Sequence, residues 1–404
     1  MKSSVTIKDL SKDNFHKICV VGGGITGAMM VLLLKNSNLF KLKDIGWIKP
    51  RVKLKDDLRT TFFNKTSMEL LNNLKILKKL KKSDFTPIRK IKVFVVNTSS
   101  PLEWDYSDKE IKLGAVIKNN IILNILEERL KDVKQYQSFV NNTKCNKFER
   151  TLYLEDKTFI KTHLILSADG KNSYLRHLLS INTLNKSIKH IAISGFLKQS
   201  KNHNSTAIQA FTNLGPIGIL PYDNKNLVNF VQSIEESECK KIFSKKNPEI
   251  FLCNELNKFF AQINLHFTPI KKINKIENKL SYWNLNLNFV LNPTSLRAIL
   301  IGDAAHSIHP LAGQGLNLSL RDCVSALNAI RHSMKFGNDL GDESILKFYK
   351  DERVPRTIAM TAFTDLMFLG FTSTTDKTQA FLTKGMQSLN KTNLKNIFRD
   401  LASI

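Results

Sequence analysis

The stretch Leu300-Ile-Gly-Asp-Ala-Ala-His-Ser-Ile-His-Pro-Leu-Ala-Gly-Gln-Gly-Leu-Asn-Leu-Ser-Leu-Arg-Asp322 decides how the rest of the chain is read. A short apolar strand, Ala298 to Ile301, delivers an acid, Asp303, into a loop that carries Pro310. The loop ends in Gly313-Gln-Gly315-Leu316-Asn317, where a helical pattern begins. Glycine has no Cβ, so the backbone there can approach a flat ligand closely, and a helix N-terminus offers unpaired N–H groups to ligand oxygens. An acid at the end of a strand is placed to hold a sugar or ribityl hydroxyl. Together these features predict a large polyhydroxylated cofactor with an electron-rich ring. A Gly-rich turn ahead of a surface helix would explain the glycines, but not the acid, the proline and the asparagine with them.

Two other segments point the same way. Lys17-Ile-Cys-Val-Val21 is a β-rich run followed by Gly22-Gly-Gly24-Ile-Thr-Gly27 and an apolar helical pattern to about Leu34. This is a strand, a G-x-G-x-x-G turn and a helix, the context that makes the motif a dinucleotide site, NAD or FAD. Gly22 would permit the turn, Gly24 the approach of a pyrophosphate, and Gly27 the packing of helix on strand. In His163-Leu-Ile-Leu-Ser-Ala-Asp169-Gly170-Lys-Asn-Ser173-Tyr-Leu-Arg176, a second strand ends in an acid ahead of a helix. Alone, that segment reads equally as an Asp-Gly turn before a capped helix. Yet Gly22, Gly23, Gly24, Gly27, Gly170, Gly302, Gly313 and Gly315 all fall in these three segments, in a chain with only 17 glycines. Loop punctuation does not produce such clustering.

The order GxGxxG, ADGxxSxxR, GDAAHxxxPxxGQGxN resembles the class A FAD-dependent aromatic hydroxylases, a flavoprotein monooxygenase family. Ala207-Ile-Gln-Ala-Phe211, Gly215-Pro216 and Leu220-Pro221 resemble the middle-domain signature of its ubiquinone-biosynthesis members. Asp57-Leu-Arg59-Thr-Thr, Leu113-Gly-Ala-Val-Ile and the late Tyr349, Arg353 and Asp365 keep that family's order. The resemblance runs from about Lys17 to the last helix. It implies an α/β fold in which a Rossmann-like FAD-binding domain (17–89, 113–185 and 298–333) is interwoven with an antiparallel β-sheet substrate domain (90–112 and 186–297). A tail (1–16) precedes them and a C-terminal helical region (334–404) follows. Gly22, Gly24 and Gly27 would hold the FAD pyrophosphate, and Arg59, placed on a helix, would lie near the flavin and its phosphates. Asp169 and Gly170 belong to a motif tied to FAD and NAD(P)H, with Arg176 supporting that loop. Gly302 and Asp303 would meet the ribityl chain, Pro310 would lie beside the ring, and Gly313, Gly315, Leu316 and Asn317 would line the isoalloxazine.

The implied reaction is hydroxylation of a polyprenylated phenol in ubiquinone biosynthesis. NADPH or NADH reduces the flavin, molecular oxygen adds at C4a as a hydroperoxide, and one oxygen passes to the ring. The cofactor does the hard step, so no catalytic side-chain triad is expected. His306 and His309 flank the flavin loop, where a histidine is more often structural than an acid or base. Three positions depart from the pattern. The ribose-binding acid expected after the second strand, Ile45-Gly-Trp-Ile48, is replaced by Lys49. Lys118 stands where relatives carry an acid, and Trp283-Asn-Leu285 replaces an aromatic-Pro-Leu. A related FAD oxidoreductase acting on another aromatic or isoprenoid substrate, or a non-catalytic flavin-binding subunit of a quinone-synthesis complex, are the other readings.

Composition bounds these readings. The 404 residues suffice for two cores, and 42% hydrophobic content is that of a globular protein. The five cysteines, Cys19, Cys145, Cys239, Cys253 and Cys323, have neither paired nor metal-ligand spacing and fit a reducing, cytoplasmic setting. Met1 to His16 has no signal-peptide character, and no apolar run reaches the roughly 18 residues a membrane helix needs. A net charge of +26 is spread along the chain without a nucleic-acid-binding motif, so no nucleic-acid partner is expected. The charge and the apolar pattern Met360 to Phe371 make the inner face of a membrane a candidate peripheral contact. On that pattern Phe363, Leu366, Met367 and Gly370 share one face, Phe368 and Phe371 widen it, and core packing is the default for it.

Overall fold

Ile18 to Val21 are buried on both faces of β1 (Phe15–Val21), the continuous apolar run expected of a central parallel strand. The computed structural model describes residues 14–50, 59–95, 101–105, 113–222, 225–273, 276–309 and 313–372. After β1 comes α1 (Ile25–Lys35), in which every residue from Gly27 to Leu34 is buried. A helix apolar all round must be covered all round. The sheet lies on one side of it, and α2 (Asn119–Arg129) joins the same core. β2 (Ile45–Ile48) pairs in parallel with one edge of β1, and β3 (Phe159–Ser167) with the other. Beyond β3, which leads through a short loop to α3 (Tyr174–Leu178), β4 (Ala298–Leu300) continues the parallel order. Since the chain runs from β1 outward to β2 but returns on the opposite side as β3, the order reverses at β1, leaving a crevice at the carboxyl ends of the strands.

A second sheet takes its strands in the order His306–Ser307, Ser281–Phe289, Leu184–Gln199, Leu227–Glu235, Gly215–Pro221, Thr206–Thr212, Lys90–Val95, Leu102–Asp105. It is antiparallel as expected, except that Thr206–Thr212 and Lys90–Val95 run in parallel. Lys90–Val95 arrives from the first half of the chain, so no hairpin sets its direction. Helices Glu236–Phe243 and Pro248–Phe260, which the alternating runs did not reveal, cover the outer face. They do so with Cys239 and Ile242, and with Leu252, Cys253, Leu256 and Phe260, at helical spacing.

Arg59 does not lie on a helix. It leads into the strand Thr60–Asn64, whose β-branched and aromatic residues favour extension, and Asn64 then caps the helix Lys65–Asn73 by accepting from the Ser67 N–H. The long α4 (Gln314–Lys335) and α5 (Glu343–Thr372) close the fold. Of the α5 face predicted, Gly370 is buried and Met367 packs against the cluster of Val95 and Phe211, while Leu366 is 65% and Leu369 54% exposed; the buried stripe is Met360, Thr364 and Phe368. That stripe is one turn apart at each step and presses Phe368 against His309 and His190. No helix among the described residues is long and apolar enough to cross a membrane.

Tyr349, fully buried, ties α5 to the parallel sheet by donating its hydroxyl to the Leu300 carbonyl at 2.9 Å. Tyr349→Phe is expected to lower stability by about 1–2 kcal/mol, the cost of leaving a buried polar group unpaired, as read by urea unfolding.

Candidate functional site

The crevice begins at the glycine turn after β1. Gly22 has φ +130°, and a Cβ there would stand 2.1 Å from the Ala168 carbonyl oxygen; one on Gly27 would stand 2.1 Å from the Gly22 oxygen. Gly24 differs. A Cβ on it would meet nothing within 4 Å, and it heads α1 with no side-chain cap and no acid in the first turn. Open space before uncapped N–H groups is an anion cradle. Gly170 (φ +90°) and Gly315 are likewise open, so three glycines of the three motifs front free space.

Asp169 follows β3 and is fixed at both oxygens, accepting from Ser167 Oγ at 2.7 Å and from the Leu175 N–H at 3.1 Å. Arg176, on α3, donates to the Ala304 carbonyl at 2.8 Å and to the Lys171 carbonyl at 3.0 Å. It thus ties the Asp169 loop to the loop after β4. Gly302 (φ +61°) opens that loop, closely enough packed that a Cβ would meet Ser319 Oγ at 2.9 Å and Thr26 Cγ2 at 3.1 Å. Asp303 is exposed, between the buried Gly302 and Ala304. Desolvation foremost raises its carboxyl above the usual range, against the pull of His306, Lys171 and Arg59.

Beneath the loop lies a fully buried carboxylate, Asp322 of α4. It accepts from the Gly302 N–H at 2.8 Å, from His306 Nε2 at 2.5 Å and from Arg353 Nε of α5 at 2.7 Å. Burial pushes its pKa up, but the charges of His306 and Arg353 and these hydrogen bonds prevail and hold the carboxyl below the usual range. Gly313 (φ +65°) turns the chain into α4. Leu316 packs against the main core. The Asn317 amide is engaged with backbone: it donates to the Phe62 carbonyl at 2.8 Å and accepts from the Asn64 N–H at 3.1 Å. It therefore fixes the strand that follows Arg59 against the glycine loop instead of presenting its amide to a ligand.

The inner face of the second sheet looks onto that same strand, where Thr60 Oγ1 donates to Asn229 Oδ1 at 3.2 Å. Four residues along, and so on the same face, is Ser233. His309 is buried at the edge of this face, stacked on Phe368 with ring centroids 4.0 Å apart. Its Nε2 lies 3.4 Å from Asp365 Oδ1, and Lys186 Nζ donates to Asp365 Oδ2 at 2.9 Å. Among the described residues, His309 Nδ1, His190 Nδ1, Ser233 Oγ and Thr361 Oγ1 are buried without a hydrogen-bond partner. Desolvation drives His309 down to about 4, with Asp365 opposing, so its imidazole is neutral. Placing the proton on Nε2, toward Asp365, leaves a lone pair on Nδ1.

A family model described as FAD binding domain matches residues 16–364. The chain belongs to this family, that of the FAD-dependent monooxygenases. The mitochondrial ubiquinone biosynthesis monooxygenase COQ6 of Dictyostelium discoideum is 25% identical over 463 residues, covering 98% of this chain and 92% of its own length. The human protein of that name is 24% identical, covering 94% of this chain and 90% of itself. Among solved structures, p-nitrophenol 4-monooxygenase of Pseudomonas putida superposes with a TM-score of 0.74 at 15% identity, over 96% of this chain and 97% of its own. HpxO of Klebsiella pneumoniae, complexed with FAD and uric acid, gives 0.72 at 14%, over 96% of each. FAD is the cofactor of such a fold, and the open positions at Gly24, Gly170 and Gly315 leave it room.

The flavoprotein crevice thus gathers most positions singled out from sequence, bridged by Gly22 to Ala168, Arg176 to Ala304 and Gly302 to Thr26. Pro310 lies outside the described residues. Asp322 and its bond to the Gly302 N–H escaped the sequence reading, since an acid in a helix after Arg321 reads as surface.

Two contrasts test this geometry. Gly24→Ala is expected to leave ligand-free stability within about 0.5 kcal/mol but weaken FAD binding about tenfold or more by filling the cradle, whereas Gly22→Ala destabilises the ligand-free protein by about 2–3 kcal/mol. Melting and FAD titration separate them. Asp322→Ala should cost about 3–5 kcal/mol at neutral pH by stranding Arg353. Because the folded pKa is depressed, the contribution is whole above the ordinary carboxylate value of 3.8 and is lost as pH falls through the lower folded value. Urea unfolding of both proteins should therefore converge only below about pH 4.

Proposed function

We propose that this FAD-dependent monooxygenase hydroxylates the aromatic ring of a polyprenylated phenol in ubiquinone biosynthesis, with NADPH or NADH as electron donor. The observation that carries this reading is a glycine-lined crevice facing a sheet whose buried polar atoms include an unpaired His309 Nδ1. The similarity to ubiquinone biosynthesis monooxygenases over nearly the whole chain supports it. In this reading FAD is held by Gly22, Gly24 and Gly27 at its pyrophosphate, by Asp303 and Gly302 at its ribityl chain, and by the Gly313–Asn317 turn at its ring. Arg59 stands near the phosphates, Asp169 and Gly170 border the cofactor, and Arg176 holds their loop.

Bound FAD supplies the oxygen activation. The chain's own residues bind the phenol, exclude water and handle its hydroxyl proton. His309 Nδ1 accepts a hydrogen bond from the phenol O–H, while the charge of Asp365, 3.4 Å from Nε2, favours the ring proton on that nitrogen. Drawing that proton toward nitrogen raises the electron density of the aromatic ring where an electrophilic oxygen must attack. Phe368 lies flat against the imidazole and keeps solvent from it.

The whole reading is tested by purifying the protein, recording its flavin spectrum, and following NAD(P)H oxidation and gain of one oxygen atom by a prenylated phenol. A deletion strain with a normal quinone profile overturns it. His309→Leu is expected to reduce kcat/KM for the phenol about tenfold, the worth of one hydrogen bond. It should also change acid stability in a defined direction. The unfolded chain protonates His309 at 6.5 and the folded one only at about 4, so the wild type loses stability as pH falls across that window and the leucine variant, left with His16 and His190 held low, loses less.

A further inference from the structure

The adenosine end of the crevice raises a separate question. A parallel dinucleotide sheet holds the adenosine ribose with a carboxylate at the end of its second strand. Here β2 ends at Ile48 and Lys49 follows. An ammonium can donate to a hydroxyl oxygen but cannot accept a hydroxyl proton, so the Lys49 side chain offers no acceptor at this position.

The lysine does not reach into solvent. Its Nζ lies 2.7 Å from Glu127 Oε1 and 4.4 Å from the centre of the Trp47 ring. Trp47 in turn donates its indole N–H to the Gly22 carbonyl at 2.9 Å, so the ring under the ammonium is tied to the pyrophosphate turn. A Cβ on Gly23 would meet Lys49 Cβ at 3.1 Å, which places the lysine against that turn. Glu127 comes from α2, a helix fixed beside α1 by the bond from Lys35 Nζ to the Arg129 carbonyl at 2.8 Å. The Lys49 side chain is 17% exposed and that of Glu127 36%, so the carboxylate keeps an open side.

We propose that Glu127, delivered from a neighbouring helix, supplies the carboxylate that the end of β2 lacks and accepts hydrogen bonds from the adenosine ribose diol of FAD, with Lys49 holding it in place. The chemistry is matched. A vicinal diol presents two O–H donors together with lone pairs, and a carboxylate beside an ammonium presents acceptors together with a donor. A half-exposed ion pair contributes only about 0–1 kcal/mol to folding, so its effect on the cofactor can be measured without disturbing the fold.

The proposal rests on the reading that this crevice holds FAD, and the experiment keeps the two apart. Apoprotein is titrated with FAD and with the two analogues that lack one hydroxyl of the adenosine ribose, following quenching of flavin fluorescence, for the wild type, Glu127→Gln and Lys49→Met. The wild type is expected to bind at least one analogue about tenfold more weakly than FAD. Glu127→Gln should bind FAD about tenfold more weakly than the wild type and no longer distinguish the analogues, with an unchanged apoprotein melting temperature. Lys49→Met keeps the carboxylate but releases it, and should bind FAD more weakly than the wild type while still distinguishing the analogues. A wild type that binds no FAD removes the cofactor reading itself. FAD binding without discrimination, discrimination that survives in Glu127→Gln, or complete loss of FAD binding in that variant overturns the role of Glu127 alone.

Discussion

The loop after β4 depends on one buried charge. Asp322 receives the Gly302 N–H, the His306 ring and the Arg353 guanidinium, and so joins the loop after β4, α4 and α5 at a single carboxylate. Taking a carboxylate out of water is costly unless every partner stays in place. That cost makes the arrangement specific, because any movement of the loop strands either the acid or Arg353. The device suits a cofactor crevice. Its walls must stand open before a ligand enters, so apolar side chains cannot fill the space and hold it.

The same logic sets how the two sheets meet. Asn317 grips one edge of the strand Thr60–Asn64 through the Phe62 carbonyl and the Asn64 N–H. That strand in turn touches the second sheet through Thr60 and Asn229. Helix α4, the strand after Arg59 and the inner face of the second sheet are thereby placed in register by amide bonds with fixed geometry. Burial adds stability there but little direction; the amides add direction.

Much of this was legible in the sequence because it is written in glycine. A strand followed by G-x-G-x-x-G, and a second and third strand each ending in an acid and a glycine, report backbone conformations that other residues resist. The parallel sheet and the crevice at its edge follow from them. Less legible was whatever depends on pairing between distant residues. Arg59 was placed on a helix although Thr60-Thr-Phe-Phe favours a strand, since a motif order carries no information about local conformation. The helices between Glu236 and Phe260 were hidden by charged residues, their apolar face appearing only at three- and four-residue spacing. The bonds of the Asn317 amide to Phe62 and Asn64 were hidden because asparagine at a helix start is free to point either way. Glu127 was invisible as a partner of Lys49, for 78 residues separate them and nothing in either segment names the other.

The two ends of the crevice are consequently held in different physical regimes. At the end that holds Asp322 the charges of Asp322 and Arg353 are buried and their partners fixed, so the geometry exists before any cofactor arrives and salt changes it little. At the adenosine end the pair of Lys49 and Glu127 is half exposed, and its strength falls as ions screen it over about 8–10 Å. A long cofactor bound by one rigid end and one adjustable end gains its orientation from the first. That is where orientation matters, because only the ring must meet a substrate at bonding distance. The second end needs affinity and no comparable precision. If Glu127 takes the ribose, an ion pair borrowed from a neighbouring helix stands in for a strand-borne acid there, while no such exchange is open at Asp322.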